Sequence, residues 1–191
     1  MAWTAPRTWV AGELVTAALG NTHWRDNLLE TAPAKATTAG GIFAATGSNA
    51  IAERIPDGAT VATAQTTAST SYTDLATAGP AVTITTGASA FVWVQCHVSN
   101  AAGATHTYMG FAVSGATTIA AADARAMYFQ SPNATNVVRA GICHFLDGTL
   151  TPGSNVFTAK YRVEANTGTF FNREIAASIS SLGYRFPAGV P

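Results

Sequence analysis

The chain has 191 residues, room for one medium domain and an appendage, and its ten basic residues balance ten acidic ones, with charged residues only 10% of the total. Globular chains usually carry about a quarter charged residues; this balance offers no field for nucleic acid or an anionic membrane, and the surface has to be built from Thr, Ser, Ala, Asn and Gly. Two cysteines are too few for a disulfide scaffold, Met1 is followed by no basic-then-apolar leader, and no stretch is apolar for long enough to span a bilayer.

Synthesis in a cytoplasm with reduced thiols is therefore the expectation. Low net charge gives little repulsion between copies, which points to a protein incorporated into something larger.

Taken in order, residues 2–10 read as an extended apolar arm, started by Pro6, and an amphipathic helix is predicted to follow. Thr16 is its expected N-cap and Pro33 its stop after Ala32. Leu14, Ala18, Thr22, Arg25 and Leu29 fall on one face at three- and four-residue spacing, with Leu19 and Leu28 beside them and Gly20 weakening the middle. Three of the four tryptophans, Trp3, Trp9 and Trp24, lie in this front end. Each is worth about 2 to 3 kcal/mol when fully covered. A single helix of this length is marginal alone, so its cover is expected from outside the chain's own core. Trp3, Trp9, Leu14, Leu19, Trp24, Leu28 and Leu29 are the candidate attachment residues.

A small-residue linker, 34–41, leads to two short apolar runs flanking Thr46 to Asn49, the pattern of a β-hairpin. Pro56, Asp57 and Gly58 are expected to close it. The predicted organisation is an arm and helix over 1–33, a linker and hairpin collar over 34–58, and a β-rich body over 59–191.

In the body, runs of β-branched and aromatic residues alternate with Gly, Pro, Asn and Ser, giving predicted strands at 60–67, 81–85, 91–99, 107–113, 125–130, 137–146, 156–164 and 174–180. Phe157, Ala159, Tyr161 and Val163 form one face of their run, and Thr158, Lys160, Arg162 and Glu164 the wet face. Val92, Val94, Cys96 and Val98 share a face, but Phe91 and Trp93 make the opposite face apolar too. About eight such strands without a crossover helix predict a mainly β fold, an antiparallel sandwich of jelly-roll type. The doubly apolar strand implies that one outer face meets other subunits.

Catalytic patterns are weak. Cys96-His97 and Cys143-His144 contain zinc-ligand types, but neighbours on a strand point to opposite faces, and two small thiols with two satisfied imidazoles is the favoured reading. On the predicted register Cys96 faces the core and Cys143 does not, which argues against their pairing. No G-x-S-x-G or H-E-x-x-H occurs, no histidine has an acidic neighbour in sequence, and Asp74, Asp123, Asp147, Glu164 and Glu174 do not assemble by spacing into a hydrolytic pair. Asp57-Gly58 and Asp147-Gly148 read as turns, and Asn133-Ala134-Thr135 is a sequon that matters only in a eukaryotic secretory setting. No enzyme activity, metal or cofactor is expected. Tyr108, Tyr128 and Phe129 are the candidate contacts for a surface ligand such as a glycan.

The segment AWTAPRTWVAGELVTAALGNTHWRDNLLETAPAKATTAGGIFAATGSNAIAERIP carries V-T-A-A at 15–18, Asn21-Thr22 and Arg-Asp-Asn-Leu at 25–28. It resembles the N-terminal segment of a group of small structural proteins of tailed bacteriophages. The later STSYTDLATAGPAVTITTGASAFVWV, GFAVSGATT and LTPGSNVFTAKYRV resemble the β-domain that often accompanies it. Gly20 departs from the pattern, standing where such sequences often carry a larger residue. The resemblance implies a homotrimer with a tumour-necrosis-factor-like jelly roll, assembled in the host cytoplasm and held on the virion surface by its N-terminal segment. The implied partner is the phage major capsid protein, with the chain acting as a decoration or head-fibre protein. The alternative is a tail protein as partner, the chain then being a short tail fibre that recognises host surface glycan or protein.

Overall fold

A computed structural model describes residues 4, 7–48, 50–102, 105–130 and 136–180. Trp3, Pro6 and the sequon at 133–135 lie outside the described residues. The chain divides into two units, residues 1–55 and 56–191.

In the first unit, Thr16 is extended and its hydroxyl accepts from the Leu19 N–H at 3.3 Å, so it caps the helix as its residue type favours. The helical run is shorter and less regular than its sequence pattern predicts. It consists of α1 (Ala17–Gly20), a π-helical stretch (Asn21–Asp26) and α2 (Asn27–Leu29). The wider π turn shifts every later side chain relative to a 3.6-residue period, so the predicted stripe from Leu14 to Leu29 is not one face. Leu14 lies outside the helix altogether, beyond a turn in which the Glu13 N–H bonds to the Val10 carbonyl at 3.0 Å with Gly12 at φ +81°. Pro33 does not stop the run. It sits in the first turn of a separate short helix, α3 (Ala32–Lys35), where a missing N–H costs nothing.

The expected hairpin forms from β1 (Ile42–Gly47) and β2 (Ala50–Arg54). Its side chains tie it to the preceding linker. The Glu53 carboxylate accepts from the backbone N–H groups of Thr37 at 2.9 Å and Thr38 at 3.1 Å, and from the Thr37 hydroxyl. A side chain at Gly41 would start 2.2 Å from a Glu53 oxygen, so glycine there is what lets the carboxylate reach the linker.

The second unit is built from β3 (Asp57–Val61), β4 (Gln65–Thr67), β5 (Ala81–Thr86), β6 (Ala90–Asn100), β7 (His106–Gly115), β8 (Met127–Gln130), β9 (Val138–Leu146), β10 (Gly153–Val163) and β11 (Gly168–Ile179). Asp57 and Gly58, read from sequence as a turn, instead begin β3 and pair with Ala177 and Ala176. One sheet runs β5-β10-β7-β8; the other runs β3-β11-β6-β9 with β4 also on β11, and every pairing is antiparallel. Leaving out the short β4 and counting from β3, the two orders are second-seventh-fourth-fifth and first-eighth-third-sixth. That winding defines a jelly roll.

The core lies between the sheets. Val92, Val94, Cys96 and Val98 of β6 face Phe157, Ala159, Tyr161 and Val163 of β10 across a cluster completed by Phe111, Met109, Phe170 and Ile175, and all are buried. Alternation in β11 is broken once. Asn172, at φ +46°, is an extra residue against β6, so Phe170 and Arg173 both point inward.

Candidate functional site

Three surfaces carry side chains that the core does not use. The first is on the N-terminal unit. The buried Asn27 amide reads the backbone of Thr4 in both directions, accepting from its N–H at 2.9 Å and donating to its carbonyl at 3.1 Å, while also donating to the His23 carbonyl at 3.3 Å. Thr4 is thereby held against the helical run. Trp9 packs edge-on to His23 at 6.1 Å and beside Trp24 at 6.0 Å, with the Arg7 guanidinium 4.8 Å over its ring and ion-paired to Glu13. This self-packing leaves much apolar area uncovered. Trp24 is 56% exposed and Leu28 65%, Leu14 and Leu29 are exposed as well, and Leu19 is half-buried.

The second surface is the outer face of the β3-β11-β6-β9 sheet. Trp93, Phe91 and Phe145 form an aromatic row, the Phe91 ring centroid lying 5.9 Å from Trp93 and 4.8 Å from Phe145. Trp93 is 43% exposed. It stands between two hollows of about 540 and 160 Å³, floored on one side by Gly141 and Cys143 and on the other by Gly58 and Ala176. The far end of this face is polar: Glu174 accepts from the Gln95 amide and from Arg139 at 3.5 Å, and His97 lies 3.0 Å from the Asn172 amide.

The two Cys-His pairs do not converge. Cys96 is buried, its thiol pushed up to about 12 by burial, whereas its neighbour His97 stacks outside on Phe171 at 5.1 Å. Cys143 is exposed opposite Trp93, and His144 points inward toward Phe111 at 6.1 Å, its pKa lowered by burial and by Arg125. Both thiols are free.

The third surface is the outer face of the β5-β10-β7-β8 sheet, where the wet side of β10 meets two loops. Arg162 grips Asp123 with two nitrogens, one at 2.8 Å, and its guanidinium lies 3.7 Å over the Tyr108 ring. Tyr72 crosses from the opposite loop to donate to Asp123 at 2.9 Å, and Lys160 pairs with Asp74 at 2.7 Å. The Arg162 guanidinium holds the Asp123 carboxyl below the usual carboxylate range, and burial together with Asp123 pushes the Tyr72 phenol up. Tyr72, Asp74, Asp123, Lys160 and Arg162 line an open groove of about 800 Å³ whose wall includes the small-residue run Ala120 to Ala122.

Of the predicted ligand contacts, Tyr108 and Tyr128 face each other across β7 and β8 on this surface, 5.8 Å apart, with Tyr128 64% exposed. Phe129 is a correction: it points the other way and packs on the core, as its place next to Tyr128 on a strand requires. Sequence spacing also missed an acidic partner for His106, since Glu164, 2.6 Å from its ring, is 58 positions away and arrives only through strand pairing. Lys160 and Arg162 were legible as a wet face; the loop residues that turn that face into a groove, Tyr72, Asp74 and Asp123, carried no such signal.

The fold and these faces define a jelly-roll domain joined to a small self-packed N-terminal unit. No family model matches the chain, and no curated protein matches it. Among solved structures it is similar to a chain in the structure of infectious bursal disease virus Gx strain, at 11% identity and a TM-score of 0.42, covering 73% of this chain and 36% of that one. It is similar also to a chain of the infectious bursal disease virus VP2 subviral particle, at 12% identity and a TM-score of 0.37, covering 73% and 37%. The chain thus spans little more than a third of either, and the jelly-roll assignment rests on its own strand order and register.

Proposed function

We propose that this chain is a non-enzymatic virion structural protein, a homotrimeric decoration or head-fibre protein that docks on the capsid exterior through its N-terminal unit. The observation that carries the reading is the uncovered apolar surface on each unit: Leu14, Trp24, Leu28 and Leu29 on the first, Trp93 and Ile142 beside the half-buried Phe91 on the second. Side chains of this size gain about 2 to 3 kcal/mol each when fully covered, and these, partly in water, forgo a share of it. A neutral chain with two such faces is suited to assembly on both. The Trp93 face, with its flanking hollows, serves for contact between copies, and the N-terminal face for contact with a particle protein. The resemblance of 2–56 to phage attachment segments supports the same division of roles.

Deleting residues 1–30 tests it: the expected product is a soluble body that still trimerises but no longer joins particles. Unchanged incorporation overturns the docking role. A second reading, a short tail fibre recognising a host surface glycan, is favoured by the exposed Tyr128 beside the Arg162 groove. Copy number separates the two, since hundreds per particle belong to a shell and a small multiple of three to a tail.

A further inference from the structure

We propose that the groove between the loops at 70–74 and 120–123, with the adjoining Tyr108–Tyr128 shelf, binds an uncharged saccharide. At about 800 Å³ the groove is in the range that accommodates small ligands. Its charges cancel: Asp74 and Asp123 against Lys160 and Arg162, each acid already joined to a base. A charged ligand gains no net field there. Hydroxyl groups gain a great deal, because the two carboxylates are half-exposed and retain lone pairs that the ion pairs do not use, so they accept from hydroxyls, while the Lys160 ammonium can donate to them.

The polar groups are also fixed in advance. Asp123 is held by Arg162 and by the Tyr72 hydroxyl, and Arg162 is in turn stacked on Tyr108, so little side-chain freedom is lost when a ligand arrives. The alanine wall at 120–122 leaves space for a ring rather than filling it. Beyond Arg162, the exposed face of Tyr128 offers a flat apolar surface for the C–H side of a neighbouring sugar. Polar groove and aromatic shelf are continuous through the Arg162–Tyr108 stack, which fits two linked sugar units better than one.

This inference supplies a ligand class to the glycan reading and is tested on purified protein, so its failure leaves particle docking, read on virions, untouched. The full-length chain is titrated calorimetrically with oligosaccharides of glucose, galactose, mannose and N-acetylglucosamine, and with uronate and sialylated counterparts. At least one neutral series is expected to bind, and Tyr128→Ala, Asp123→Asn and the groove-filling Ala121→Trp are each expected to weaken it tenfold or more while melting with the parent protein. The proposal is overturned if no neutral oligosaccharide binds at about millimolar concentration, if only acidic ones do, or if binding survives the well-folded variants.

Discussion

Arg173 is fully buried and pairs with no carboxylate among the described residues. Its guanidinium donates instead to the carbonyls of Thr77 at 3.3 Å, Gly79 at 3.4 Å and Thr63 at 3.5 Å and to the Gln65 side chain at 3.1 Å, and it lies 5.4 Å over the Tyr161 ring. It therefore ties the connection between β3 and β5 to the last strand. Arg173→Ala removes those donors and opens a cavity, two effects that together cost about 3 kcal/mol or more. A melting temperature lowered by about 6 °C or more is the expected reading; a change within 1 or 2 °C would mean that water and neighbouring side chains satisfy the carbonyls equally well. Nothing in sequence marked this residue as internal. An arginine between Asn172 and Glu174 reads as surface, and the extra residue that turns it inward is visible only against the partner strand.

At the scale of elements, legibility followed regularity. The run from Val156 to Val163 alternates cleanly, and its four predicted core residues are all buried. β11 was predicted to begin at 174 but begins at Gly168, because Thr167, Gly168 and Asn172 look like turn residues and the bulge breaks the period. The front helix failed for a related reason: a π turn conserves helicity while moving the stripe, and no periodicity count over one short segment detects it. Two elements there depend on single side chains. With Asn27→Ala the arm loses its clamp, and amide exchange at Thr4 is expected to speed up by about tenfold, the equivalent of ~1.4 kcal/mol. The linker depends on Glu53, whose pKa is lowered by the Thr37 hydroxyl and by the Thr37 and Thr38 amides. A carboxylate so lowered contributes stability that is present above its ordinary range and is lost as pH falls through its folded value. The Thr37 and Thr38 amide resonances should therefore shift together on acidification, with a midpoint below that of an ordinary glutamate; a midpoint at or above the ordinary value would show that the contact is not held in solution.

For the whole molecule, the question is what covers the Trp93 face. Trp93→Glu puts a charge at its centre and should convert the proposed trimer into monomers at micromolar concentration, read by sedimentation. The cysteines provide an independent report. Cys143 lies on that face and should be protected from thiol reagents in the assembly but reactive in the variant, while Cys96 stays inert in both until the fold is lost. A parent protein that sediments as a monomer, with Cys143 already reactive, would end the trimer proposal. The sandwich could be anticipated from strand count and turn spacing, because both follow from local pattern, whereas its winding is fixed by distant pairings such as β5 with β10 and β3 with β11. The groove could not, since Tyr72 and Asp123, 51 positions apart, meet only after two loops fold over β10.

That strand has a further implication for how such a protein diversifies. Along β10 the buried Ala159, Tyr161 and Val163 alternate with the outward Lys160 and Arg162. Mutation can rewrite the odd and even positions under separate selection, one register answering to folding and the other to whatever the surface meets. A lineage changing its environment could thus exchange the exterior chemistry of this sheet repeatedly while inheriting the interior unchanged.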